Sequence, residues 1–108
     1  MEIVFEKEYL YELYTNGKAK NKKYSFQPQV VKQYVKTVDK LKAAPNAEFL
    51  YQLKSLHYEK KYGNLGGIEA VWVNRQYRLE FRITISGEEP DLISICSLKD
   101  LSNHYKKK

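Results

Sequence analysis

The sequence predicts an α+β fold in which an N-terminal strand and two to three helices pack on a mainly antiparallel β-sheet. Three observations carry this. Residues 75–85, "RQYRLEFRITI", alternate apolar Tyr77, Leu79, Phe81, Ile83 and Ile85 with polar Arg78, Glu80, Arg82 and Thr84, which is the period of a strand with one buried face. Between Pro28 and Pro45, by contrast, Val31, Tyr34, Val35, Val38 and Leu41 follow helical spacing. The helical segments come first and the strand run second, so the helices should gather on one sheet face instead of alternating with the strands.

The elements follow in order. "EIVF" reads as a short strand. "EKEYLYELYTNG" then sets Tyr9, Leu10, Leu13 and Tyr14 on one helical face and stops at Asn16-Gly17, where glycine takes the left-handed conformation at no steric cost. "KAKNKKYSF" concentrates Lys18, Lys20, Lys22 and Lys23 without apolar periodicity and reads as a solvated connector. Pro28 opens a second helix at its first turn and Pro45 closes it. On another face of that helix Lys32, Lys36 and Lys40 form a row, the ordinary dress of an exposed amphipathic helix and also a possible phosphate track. "NAEFLYQLKSL" predicts a shorter third helix burying Phe49, Leu50 and Leu53. Next, "GGIEAVWV", "QYRLEFRITI" and "DLISICSL" read as an antiparallel meander joined by a tight turn at Asn74-Arg75 and a longer one at "SGEEPD". With "EIVF" a sheet of four strands is expected, with one of its faces left open and the tail "YKKK" frayed.

A chain of 108 residues suits one domain spanning 1–108. Nineteen Lys and Arg against 13 Asp and Glu give a charge of +6, a bias towards polyanions or an acidic partner. Ten tyrosines, four phenylalanines and one tryptophan serve core packing or base stacking. The single cysteine, Cys96, lies in "LISICSL" with no disulfide partner and reads as a buried small side chain in a reducing compartment. No signal peptide is evident and no apolar run approaches the ~20 residues of a membrane span, so a cytoplasmic protein with no membrane role is expected. There is no Gly-rich phosphate loop before a helix, HExxH, Cys pair or nucleophile elbow, and no cofactor or metal is expected.

What remains is a polar set around the meander. His57 precedes it and His104 follows it; Arg78 and Arg82 project from the middle strand onto one face; Lys60, Lys61 and Lys99 lie in or near the connections. Such groups suit RNA cleavage by an internal 2′-hydroxyl, which needs a base, an acid and cationic donors for the charge on phosphorus oxygens. Histidine titrates near neutral pH, and arginine's planar fork holds two oxygens without losing its charge. The competing reading is a solvent-exposed Arg78, Glu80, Arg82 ladder with no chemistry.

The segment "LKSLHYEKKYGNLGGIEAVWVNRQYRLEFR", followed by "LKDLSNHY", resembles the HigB branch of the RelE/ParE toxin superfamily. The likeness rests on a His-containing loop, a strand, a short turn with Asn, a "YRL" strand and an ending near "LSNHY". It implies the toxin of a type II toxin–antitoxin pair: a ribosome-dependent endoribonuclease (mRNA interferase) that cuts mRNA in the A site of the 70S ribosome, docking against rRNA. The implied partner is a HigA-like helix-turn-helix antitoxin, and the pair would bind operator DNA through the antitoxin. By the same resemblance Arg78 stabilises the phosphate. His57 and Lys60 match the loop's His-x-x-Lys and are expected to be catalytic, positioning the 2′-hydroxyl or contacting phosphate, with Lys61 competing for the lysine role, while His104 and Tyr105 supply a proton-transfer group and a stacking ring. Arg82, Lys61 and Lys99 are expected to contact RNA. The strand "IEAVWV" carries Glu69 where RelE-like chains have lysines, so the histidines would do the proton chemistry. ParE-type members of the superfamily share the fold and inhibit DNA gyrase without cleaving anything, which is the alternative; a non-catalytic RNA-binding module is a third class, one that needs neither Arg78 nor His104.

Overall fold

A computed structural model describes residues 1–60 and 67–103. Strand β1 (Glu2–Phe5) leads into helix α1 (Glu8–Asn16), which Gly17 ends in the left-handed conformation (φ 81°) with its N–H on Leu13 O. Helix α2 (Pro28–Ala43) opens on its proline as the sequence predicts. The third helix is one turn only, α3 (Ala47–Leu50), because 3₁₀-type bonds such as Gln52 N–H to Phe49 O (3.1 Å) tighten the chain past it. A separate 3₁₀ turn at Lys54–Leu56 follows. The strands are β2 (Glu59–Lys60), β3 (Glu69–Trp72), β4 (Tyr77–Ser86) and β5 (Ile93–Asn103).

Among the described residues the sheet order is β1-β5-β4-β3-β2. The meander β3-β4-β5 is antiparallel as expected, and β1 joins β5 in parallel with Ile3 beside Cys96 and Phe5 beside Leu98. The two-residue β2 is an addition to the four expected strands, since a pair of polar residues in a connection has no legible period. Val71, Leu79 and Leu101 oppose one another across three strands, as do Phe81 and Leu98, and directly opposed residues share a face. That face meets Leu10, Leu13, Tyr34, Val38 and Leu41 of α1 and α2 in one buried core. Tyr34 donates from its hydroxyl to Leu10 O at 2.7 Å, pinning the two helices together.

Lys99 has no partner on β4, because Glu80 opposes Asp100 and Phe81 opposes Leu98. This bulge is tied down from α1. The Leu101 N–H donates to the Tyr9 hydroxyl oxygen at 2.8 Å, and that hydroxyl donates to Asp100. Burial first, and then the bond to Asp100, holds the Tyr9 hydroxyl well above the ordinary tyrosine pKa. No helix among the described residues is long and apolar enough to cross a membrane.

Candidate functional site

The β3–β4 turn builds the site. Asn74 Oδ1 accepts from Gln76 N–H (2.8 Å) and Tyr77 N–H (2.7 Å), closing the turn with a side chain, while its Nδ2 donates to Gln33 Oε1 on α2 at 2.8 Å. The turn's carbonyls consequently converge on Arg78. Its Nη1 lies 2.9 Å from Asn74 O, 3.0 Å from Arg75 O and 3.3 Å from Tyr77 O. Arg78 stands opposite Trp72 on β3 and Ser102 on β5, and its guanidinium carbon sits 4.2 Å from the Trp72 ring centroid. The strand's polar face is therefore not open at this point: Arg78 is 8% exposed, because the indole and the turn cover it. Nε and Nη2 have no partner among the described residues.

His57 reaches the same indole from the 3₁₀ turn. Its imidazole stacks on Trp72 with centroids 3.8 Å apart and planes 24° apart. The backbone of His57 is left-handed (φ 49°, ψ 50°), a conformation that costs a non-glycine residue about 1–2 kcal/mol. A strained backbone holding a titratable ring against an aromatic platform is the kind of feature that clusters at functional sites.

The other expected residues are dispersed. Lys60 opposes Glu69, and this register puts it on the face of Glu69 and Val71, not on the face of Trp72 and Arg78. Glu69 is buried at 6% exposure, accepting from the Tyr58 hydroxyl and from Ile83 N–H (3.2 Å). Burial and that carboxylate raise the Tyr58 hydroxyl pKa. Arg82 shares the face of Arg78 but is exposed, four residues and so about 13 Å along the strand, with its guanidinium over Gly67. Lys99 forms an ion pair with Glu6 at 2.7 Å, away from Arg78. Lys61, His104 and Tyr105 lie outside the described residues.

One contributor was not singled out in the sequence: Trp72, which organises His57 and Arg78. Asn74 was legible as a turn residue, but not as the side chain that closes the turn holding Arg78. Trp72 also forms one wall of a groove of about 240 Å³ whose other wall includes Gln33, Lys36 and Lys40 of α2, so two members of the lysine row border the site. No cluster of three or more metal-ligating side chains occurs among the described residues.

The layout of three helices on a five-stranded, mostly antiparallel sheet is that of the RelE/ParE-like toxins. The solved structure of the YoeB/ParE toxin from Agrobacterium tumefaciens is similar to it with a TM-score of 0.57 and 16% sequence identity, over 97% of this chain and 100% of that one. No family model matches the chain, and no curated protein matches it.

Proposed function

We propose that this chain is the toxin of a type II toxin–antitoxin pair, of the HigB branch, and that it is an endoribonuclease cutting translated mRNA in the ribosomal A site. The observation that carries the reading is the preorganised Arg78. Three backbone carbonyls and one indole fix the guanidinium, while Nε and Nη2, without a partner among the described residues, are left to a phosphate. Fixed donors aimed at developing charge cost no reorganisation during the reaction, which is how electrostatic stabilisation lowers a barrier.

The chemistry runs on the RNA's own 2′-hydroxyl. A base removes its proton, the oxygen attacks the adjacent phosphorus, and the P–O5′ bond breaks as an acid protonates the leaving oxygen, giving a 2′,3′-cyclic phosphate and a 5′-hydroxyl. His57, which stacks on the same indole as Arg78, takes one proton-transfer role, and His104 takes the other with Tyr105 stacking on a base. Lys60, Lys61, Arg82 and Lys99 are assigned at most peripheral contacts to RNA phosphates. The partner is a HigA-like antitoxin through which the pair binds operator DNA.

The test is to induce the wild-type chain and Arg78→Ala in a bacterium and to map new 5′ ends on translated messages. Wild type should create such ends, and the variant should lose about 10²–10³ in cleavage rate, the usual effect of removing a transition-state donor. A loss under about threefold would take Arg78 out of the mechanism. Growth arrest by the wild type without new ends would favour the gyrase-inhibitor alternative.

A further inference from the structure

The lysine-rich connector between α1 and α2 has no part in the site so far, yet it walls a cleft of about 640 Å³ beside it. Pockets for small organic ligands span roughly 300–1,000 Å³. Asn21 shapes one wall: its side chain accepts from Lys23 N–H at 2.9 Å and sets a 3₁₀ turn at Lys22–Tyr24. This turn presents Lys23 and Tyr24 together. The Tyr24 ring lies flat on Tyr9 with centroids 3.7 Å apart and planes 2° apart, and Tyr9 is itself locked to the β5 bulge. Across the cleft stand Phe26 and Tyr77, in edge-to-face contact at 5.4 Å. Three rings thus line one cavity, and the Lys23 ammonium sits 5.5 Å from the Tyr24 ring.

The cleft is contiguous with the Arg78 row. Ser102, which lines it, is the residue directly opposite Arg78 on β5. Adjacent strands are about 4.8 Å apart, so a nucleic-acid strand with a phosphate at Arg78 passes the mouth of the cleft with its neighbouring nucleotide. The charge fits that ligand. Asp100, the carboxylate in the cleft wall, is already engaged by Lys7 at 3.5 Å and by the Tyr9 hydroxyl, which leaves Lys23 for a phosphate.

We infer that this cleft is a subsite for an unpaired nucleotide of single-stranded RNA flanking the scissile phosphate, with Tyr24 and Tyr77 against the base and Lys23 on the phosphate. Aromatic platforms beside isolated cations are how proteins hold unstacked bases. The inference rests on the ribonuclease reading and extends it to a residue cluster outside the reacting groups.

The experiment uses the full chain and a single-stranded RNA oligonucleotide containing 4-thiouridine, with Arg78→Ala as background so that the oligonucleotide stays intact. Photo-crosslinks should map to peptides holding Tyr24 or Tyr77. In titrations of a labelled oligonucleotide, Lys23→Ala should lower the slope of log K against log salt by about 0.7, the single-strand value for one phosphate contact. Tyr24→Ala should weaken binding by at least about fivefold, the low end of one lost base stack, and Tyr24→Phe, which keeps the ring on Tyr9, should restore it. Binding with crosslinks elsewhere and an unchanged slope in Lys23→Ala overturns the subsite, even if wild type still cleaves mRNA through Arg78. Absence of both RNA binding and new mRNA 5′ ends in wild type sinks the ribonuclease reading and the subsite together.

Discussion

β4 carries two arginines on one face, and its two halves treat them differently. The inner half, residues 77–81, has β3 on one side and β5 on the other, and Arg78 is covered by Trp72 and bound by the turn. Past Phe81 the described partner is β5 alone, and Arg82, Thr84 and Ile85 are exposed. The β5 bulge at Lys99 falls on the border between the halves. The difference teaches that a charge becomes a fixed donor when neighbouring strands and a turn enclose it, whatever its place in the alternation.

Stability should divide at the same border, and this is the largest effect expected. Phe81 is fully buried and Ile85 is 60% exposed. Phe81→Ala should cost about 3–5 kcal/mol in urea denaturation, transfer and cavity terms together, and Ile85→Ala about 0.5 kcal/mol or less. Comparable losses at the two positions would erase the distinction between the halves.

How much of this was legible beforehand follows from the same strand. The period of 2 in "RQYRLEFRITI" named the strand and its core face at Leu79 and Phe81, and Pro28, Pro45 and Gly17 marked where helices begin and end. All of that is local information. The fate of Arg78 was not local: it depends on cross-strand register, which brings Trp72 opposite, and on Asn74 closing its turn by side chain. A lone tryptophan on the outward face of the strand "IEAVWV" was the available signal for the platform. The face that Lys60 takes was not legible either, because a shift of one strand position reverses the face and nothing in "HYEKK" fixes the register. The run Lys18 to Lys23 looked like mere solvation, since Tyr24 finds Tyr9 only through the tertiary fold.

A smaller effect sharpens the border through pH. Cys96, fully buried and opposite Ile83, has its thiol pushed up by burial to about 12. A group with a raised folded pKa favours the folded state below its unfolded value and loses that contribution as pH rises towards the folded one. Stability should thus decline from about pH 9 upward, approaching 1.4 kcal/mol per pH unit for this one group. Urea midpoints at pH 8 and 10 should fall further for wild type than for Cys96→Ala. Equal falls would assign the alkaline loss to the raised tyrosines Tyr9, Tyr34 and Tyr58.

The smallest effect belongs to the border residue itself. Lys99 pairs with Glu6 at 2.7 Å, both side chains about one-third exposed, and such pairs contribute between zero and about 1 kcal/mol. The ion pair and an RNA phosphate compete for one ammonium, so the two roles can be separated. Lys99→Ala should lower stability by under about 1 kcal/mol and, if the proposed mRNA cleavage is this chain's activity, leave it within about twofold of wild type. A tenfold loss of cleavage with stability intact would mean that RNA opens the Lys99–Glu6 pair on binding. The catalytic face would then extend across the bulge to β1, and the enclosed inner half of β4 would be only part of the site.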